Sequence, residues 1–72
     1  MKRTKTVVRL KVKEVAEQKG LDKWDLVARS GVDARVIERM LAGEWERLYL
    51  TQLAKVAEGL GVHIADLIEE EN

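Results

Sequence analysis

Four of the five glycines divide this chain into short segments: Gly20, Gly31, Gly43 and Gly61. A glycine ends a helix readily, because without a Cβ it adopts backbone angles that strain other residues. Between the glycines the apolar residues recur every three or four positions, which is the period of an α-helix with one buried face. The chain is therefore expected to fold as several short helices joined by tight turns.

The first three helices are predicted over residues 12–19, 22–30 and 33–42. Asp22 and Asp33 stand at the start of the second and third helices. A short carboxylate side chain there accepts a hydrogen bond from a free N–H group of the first helical turn. Both aspartates are therefore predicted to be N-caps.

A fourth helix is predicted to begin with Thr51 as its N-cap and to end at Gly61. Its apolar residues follow the spacing i, i+3, i+4 and i+7: Leu53, Val56, Ala57 and Leu60. A fifth, short helix is predicted around Ile64, Leu67 and Ile68, followed by a frayed acidic C-terminus at residues 70–72.

Residues 5–10 have a different period, because their side chains alternate between two faces and are often β-branched. This alternation predicts a short strand, which needs a partner. The candidate partner within the chain is residues 47–50, and the alternative is the same strand of a second copy. We therefore predict an all-α, compact five-helix domain over residues 12–69, preceded by a basic arm with a short β-strand over residues 1–11.

Composition argues against several classes of function. The chain has no cysteine and one histidine, so it lacks the residues for disulfides, thiolate catalysis and cysteine or histidine-rich metal sites. A chain of 72 residues with an aliphatic core also leaves little room for an enzyme's deep cavity. We expect no enzymatic activity, cofactor or metal. No apolar run approaches the roughly 18 residues of a membrane span, and no secretory signal is recognised, so the expected location is the cytoplasm.

The net charge of zero conceals an asymmetry between the two parts of the chain. Residues 1–13 hold six basic side chains and no acidic one, whereas the remaining 59 residues hold seven basic and thirteen acidic side chains. Such an arm often binds nucleic acid. It can equally fold onto its own acidic body or onto a second copy, and the arm by itself does not distinguish these alternatives.

The third helix has two contrasting faces. A rotation of about 100° per residue places Val36, Ile37, Met40 and Leu41 on one half of the helix. The other half carries small and charged residues: Ala34, Arg35, Glu38, Arg39 and Ala42. A polar half is ordinary for a surface helix. Here, however, the helix follows another short helix and a glycine turn, which is the order of the helix-turn-helix unit.

Residues 20–43, with the sequence GLDKWDLVARSGVDARVIERMLAG, resemble the Xre/Cro-type helix-turn-helix of phage repressors and bacterial regulators. The matching positions are Gly20, Leu21, Leu26, Ser30, Gly31, Val32, Ile37, Arg39 and Gly43. The downstream stretch LTQLAKVAEGLGVHIADLIEE is similar to the family's C-terminal part, so the resemblance covers about residues 12–69. It implies a lambda-repressor-like fold and a sequence-specific regulator of transcription that binds duplex DNA.

The resemblance makes residues 33–42 the recognition helix, which lies in the major groove. Its base-contacting positions fall on Ala34, Arg35 and Arg39, with Glu38 between them. Either arginine can donate to guanine, Ala34 can contact a thymine methyl group, and Glu38 can accept from cytosine or pair with an arginine.

Phosphate contacts are expected from basic residues around this helix: Lys23, Arg47, Lys2, Arg3 and Lys5. A single domain of this kind reads few base pairs, so the resemblance also implies a homodimer. The predicted dimer contacts are Val8, Leu10, Ile64, Leu67 and Ile68.

The chain departs from the family pattern at several positions. Lys23 replaces the usual glutamine, and Val27 replaces a small alanine. His63 replaces the usual cap of the last helix, where it either caps weakly or is solvated. Glu44 and Glu46 place acidic charge in a loop that often contacts phosphate.

These acids, the neutral net charge and Trp24 favour an alternative function. Trp24 and Trp45 are expected to complete a core or an interface. Because a fold does not determine a function, the alternative is a protein–protein interaction module on the same scaffold, such as an antitoxin or an adaptor for polymerase or phage proteins.

Overall fold

The computed structural model describes residues 7–44 and 48–71. These residues form four α-helices, a 3₁₀ helix and a small two-stranded sheet. In chain order the elements are β1 (Val7–Leu10), α1 (Val12–Gln18), α2 (Lys23–Ser30), α3 (Ala34–Leu41), α4 (Leu50–Leu60), the 3₁₀ helix (Ile64–Leu67) and β2 (Ile68–Glu71). The structure is thus a mostly helical, compact helix-turn-helix domain.

The sheet corrects the predicted end of the chain. β1 pairs antiparallel with β2, with Val7 opposite Glu71 and Leu10 opposite Ile68. The N–H group of Lys11 donates to the carbonyl of Leu67 over 2.8 Å and extends the pairing beyond the strand. Since β2 begins at Ile68, the fifth helix predicted around Ile64, Leu67 and Ile68 is reduced to the short 3₁₀ helix Ile64–Leu67.

Two further predictions fail at the same sheet. Residues 48–50 do not supply the partner of β1, and residues 70 and 71 lie in β2 rather than in a frayed end. The backbone N–H and C=O groups of β1 require partners, and the segment after the 3₁₀ helix provides them.

The core lies between the four helices, the 3₁₀ helix and β1. Its buried members are aliphatic side chains and Met40: Leu10, Val12, Val15, Ala16, Leu26, Val32, Ile37, Met40, Leu53, Val56, Ala57, Leu60 and Leu67. The apolar positions predicted for the fourth helix are among them, as are Ile37 and Met40 of the third, whereas Val36 and Leu41 are only partly buried against this core. Helical periodicity thus identified the inward-facing side of α3 and α4 correctly.

The start of α4 differs from the prediction. The helix begins at Leu50 and its N-cap is Tyr49, which makes no side-chain capping bond, so Thr51 is inside the helix. The Tyr49 carbonyl accepts from the N–H groups of Gln52 and Leu53. Tyr49 and Leu50 are 70% and 66% exposed, respectively.

The C-terminal part of α4 packs closely against the end of α2. A Cβ at Gly59 would lie 3.1 Å from both the carbonyl carbon and the Cβ of Arg29. The absence of a side chain at residue 59 therefore permits this approach. Through it, the first helix of the helix-turn-helix unit is held against the rest of the domain.

Over the described ranges, no helix combines the length and apolarity required to cross a membrane. Nor do three potential metal-ligating side chains come together among these residues.

His63 lies at the N-cap position of the 3₁₀ helix. Its backbone N–H donates a hydrogen bond to the Asp66 carboxylate over 3.0 Å.

Candidate nucleic-acid interface

The turn between α2 and α3 is fixed by local hydrogen bonds. The Ser30 hydroxyl donates to the Leu26 carbonyl over 2.6 Å and accepts from the Val32 N–H over 3.1 Å. Gly31 adopts the left-handed conformation with φ of 74°, which an L side chain would strain. Val32 is buried in the core. The direction in which α3 leaves the turn is therefore set by a hydroxyl, a glycine and a buried valine.

The predicted N-caps of both helices are confirmed. The Asp22 side chain accepts from the Asp25 N–H, and the Asp25 side chain accepts from the Asp22 N–H, each over 2.9 Å. Asp33 accepts from the Arg35 N–H over 2.7 Å. These bonds satisfy N–H groups that would otherwise lack a partner in the first helical turn.

The inner face of α3 anchors the helix, and its outer face is accessible. Ile37 and Met40 are 0% and 1% exposed. On the opposite half, Arg35, Glu38 and Arg39 are exposed and Ala34 is half-buried. The third helix therefore presents the face that the sequence predicts for base contacts.

Arg35 and Arg39 line a shallow depression together with Glu38, Ala42 and Glu44. Neither arginine forms a salt bridge with another residue of the described ranges. Guanidinium groups without a partner remain able to donate paired hydrogen bonds to a planar acceptor such as the guanine edge. The outer face of α3 thus combines accessible donors with a concave surface.

Glu38 has a different partner from the one considered above. Its Oε2 lies 2.6 Å from Nζ of Lys23 at the start of α2, instead of pairing with an arginine. The same Nζ lies 4.6 Å from the centre of the Trp24 ring. The side chains of Lys23 and Glu38 are 30% and 55% exposed. A predicted phosphate contact and a predicted base contact are therefore joined in one ion pair.

This ion pair was missed because the two residues are 15 positions apart and lie on different helices. Helical periodicity relates residues three or four apart and carries no information on such a pair. The helix-turn-helix arrangement is what brings the start of α2 next to the middle of α3.

Several predicted site residues lie outside the described residues: Lys2, Arg3, Lys5 and Arg47. The same holds for Trp45 and Glu46. Their predicted contacts remain predictions.

The predicted dimer residues divide into two groups. Leu10 and Leu67 are 8% and 0% exposed, so the protomer's own core covers them. Val8, Ile64 and Ile68 are only half-buried and retain accessible surface. The prediction of a two-fold contact therefore rests on the second group.

Trp24, which the sequence predicts in a core or an interface, lies on the surface of the domain. Trp24 is 63% exposed, which is unusual for a large aromatic side chain. It therefore does not complete the core, and one of its faces receives the Lys23 ammonium group.

Comparisons with curated proteins and with solved structures find no significant match. The model of one family, the Cro/C1-type HTH DNA-binding domain, matches residues 11–71. This stretch includes the four α-helices, the 3₁₀ helix and β2. The chain therefore belongs to the Cro/C1-type helix-turn-helix family of DNA-binding domains.

Proposed function

We propose that this protein is a sequence-specific regulator of transcription that places α3 in the major groove of duplex DNA. The observation that carries the proposal is the outer face of α3. Two exposed arginines there have no described ion-pair partner, while Ile37 and Met40 fix the helix in the core. A helix held in this way delivers its guanidinium groups to base edges without reorganising the domain.

Each group has a distinct part in recognition. Arg35 and Arg39 donate to O6 and N7 of guanine, which is the most frequent specific contact in the major groove. Ala34 contacts a thymine methyl group. The N-terminus of α2 faces backbone phosphate, because the helix dipole and the N–H groups of Lys23 and Trp24, which the Asp22–Asp25 capping bonds leave available, favour an anion.

The active form is a homodimer, since one domain of this size contacts only a few base pairs. A two-fold axis places the two recognition helices about 34 Å apart, one turn of DNA. Val8, Ile64 and Ile68 provide the accessible apolar surface for the contact between protomers. The bound DNA site is then an inverted repeat.

Selection of bound sequences from a random duplex library tests the proposal. We expect enrichment of one inverted repeat, with an affinity that falls steeply as salt rises, because each phosphate contact releases counterions. If the sequences bound by this chain shared no common motif, the proposal would be contradicted.

A protein–protein interaction module is the second candidate, and a specific observation favours it. Trp24, Tyr49 and Leu50 are large apolar side chains that are between 63% and 70% exposed. Binding of a protein through apolar contacts depends weakly on salt, whereas DNA binding depends strongly on it. A salt titration of the affinity for each ligand therefore separates the two functions.

A further inference from the structure

We infer that Glu38 accepts a hydrogen bond from the amino group of a cytosine in the major groove, and that Lys23 is the residue that positions Glu38 for this contact. This inference rests on the proposed function, because it assigns roles within the same DNA-facing surface. It also changes the part of Lys23, which the family resemblance makes a phosphate contact.

The Lys23 ammonium group is engaged on two sides. Nζ lies 2.6 Å from Oε2 of Glu38 and 4.6 Å from the centre of the Trp24 ring. A short contact of this kind is a charge-assisted hydrogen bond, and the position over the ring is that of a cation–π interaction. Each contact contributes little at an exposed site. Together they give the ammonium group a defined place beside Glu38.

The Glu38 carboxylate retains an acceptor. Oε2 is held by Lys23, while Oε1 has no hydrogen-bond or salt-bridge partner among the residues described. An ionised carboxylate has only acceptors, so it requires a donor on the base. The major groove offers two amino donors, N4 of cytosine and N6 of adenine, but N6 of adenine lies beside the N7 acceptor, which repels a carboxylate. Cytosine is therefore the base that a glutamate reads, whereas O6 of guanine and O4 of thymine are acceptors that would repel it.

The neighbours of Glu38 support the same assignment. Arg35 and Arg39 lie on the same face of α3 and line the same depression, but neither binds the carboxylate. Arginines that read guanine and a glutamate that reads cytosine are complementary at neighbouring G·C pairs. Lys23 also offsets the charge of Glu38 as the DNA phosphates approach, which reduces the repulsion that an unpaired carboxylate would meet.

The experiment repeats the selection from random duplex DNA with five variants of the chain, three at the proposed contact and two controls, and measures the salt dependence of binding for each. Glu38→Gln removes the carboxylate charge, Lys23→Met removes the ammonium group, and Lys23→Arg keeps a cation. The matched controls are Glu58→Gln and Lys55→Met, which make the same chemical changes at exposed positions of α4.

We expect the wild-type chain to enrich cytosine at one position of each half-site. Glu38→Gln should lower the preference for cytosine there by roughly 5- to 150-fold, and adenine should gain because glutamine pairs with it. Lys23→Met should weaken the preference at that same position and leave the salt slope unchanged. Lys23→Arg should restore it, and the controls should behave as wild type.

Three results would overturn the inference. An unchanged base preference in Glu38→Gln would show that Glu38 reads no base. A Lys23→Met variant with intact base preference and a salt slope reduced by about one would make Lys23 a phosphate contact. If the DNA sequences selected by the wild-type chain showed no preference for cytosine near the guanines proposed to contact Arg35 and Arg39, cytosine would be excluded as the partner of Glu38. Absence of any selected sequence for the wild-type chain would instead reject the proposed function, and this inference with it.

Discussion

Arginines on two surfaces of this protein have different electrostatic surroundings. On β1, Arg9 lies between two carboxylates, 3.8 Å from Glu14 and 3.7 Å from Glu69. On α3, Arg35 and Arg39 have no salt-bridge partner within the described ranges, although a glutamate stands between them in the sequence. The two surfaces thus differ in whether the protein's own acids already pair with their cations. On α3 both guanidinium groups remain available to an external ligand.

The same comparison explains how an acidic body can present a surface for DNA. Many of its carboxylates have structural partners near the helix ends. Asp22, Asp25 and Asp33 accept from backbone N–H groups at the starts of α2 and α3. Glu38 is held by Lys23. These acids still carry charge, but the helix dipole or a cation offsets part of it, and the two α3 arginines remain accessible.

The largest expected effect tests whether the region of the β1–β2 sheet contributes to the stability of the fold through Leu67, the last residue of the 3₁₀ helix. Leu67→Ala removes a side chain with 0% exposure beside the sheet, so it should lower the free energy of unfolding by about 2–5 kcal/mol. Urea denaturation measures the change. Leu50→Ala is the matched control, because the same atoms are removed from a side chain that is 66% exposed. Similar losses in both variants would contradict the assignment of Leu67 to the core.

The next effect concerns the arginines of α3. Arg35→Ala and Arg39→Ala should each weaken binding to the selected DNA site by roughly 1–3 kcal/mol, since each removes a guanidinium group that we propose to contact a base. Titration of labelled duplex DNA at one salt concentration measures both. Arg9→Ala is the control, because its guanidinium group is already paired. An equal loss of affinity in that variant would abolish the distinction between the two surfaces.

The sequence predicted the helix-turn-helix segment well because its determinants are local. The capping aspartates, Gly31 and the three-residue spacing of the buried Ile37 and Met40 each act within one or two helical turns. The resemblance to a known family then supplied the orientation of α3. The residues on the outer face of this helix could therefore be predicted from the sequence.

The end of the chain and the Lys23–Glu38 pair were not predictable in the same way. Ile68–Glu71 contains three consecutive glutamates, a residue with low strand propensity, and becomes a strand because β1 lies beside it. Similarly, Lys23 meets Glu38 only after α2 and α3 have packed. Both features depend on contacts between distant parts of the chain, which periodicity and capping signals do not encode.

A smaller effect separates two roles of Asp33, at the start of the helix that we propose to face DNA. Asp33→Ala should lower the free energy of unfolding by about 1 kcal/mol, because the N-cap of α3 is lost. Asp33→Asn keeps an acceptor oxygen and should preserve stability, while the removal of a negative charge near phosphate should strengthen DNA binding. Thermal unfolding and DNA titration of both variants measure the two roles. Equal stability of Asp33→Ala and wild type would show that the capping bond contributes nothing.

The smallest effect is expected at the paired arginine itself. Arg9→Ala should lower the free energy of unfolding by only about 0.2–1 kcal/mol, because exposed ion pairs are solvated and their side chains lose entropy on pairing. The side chains of Arg9, Glu14 and Glu69 are all more than 40% exposed, which places them in this class. Because salt screens exposed charges, the difference from wild type should shrink in urea denaturation at 1 M salt. A loss that persists there would mean that Arg9 stabilises the sheet mainly through its apolar stem, and the contrast with the α3 arginines would then concern packing rather than charge.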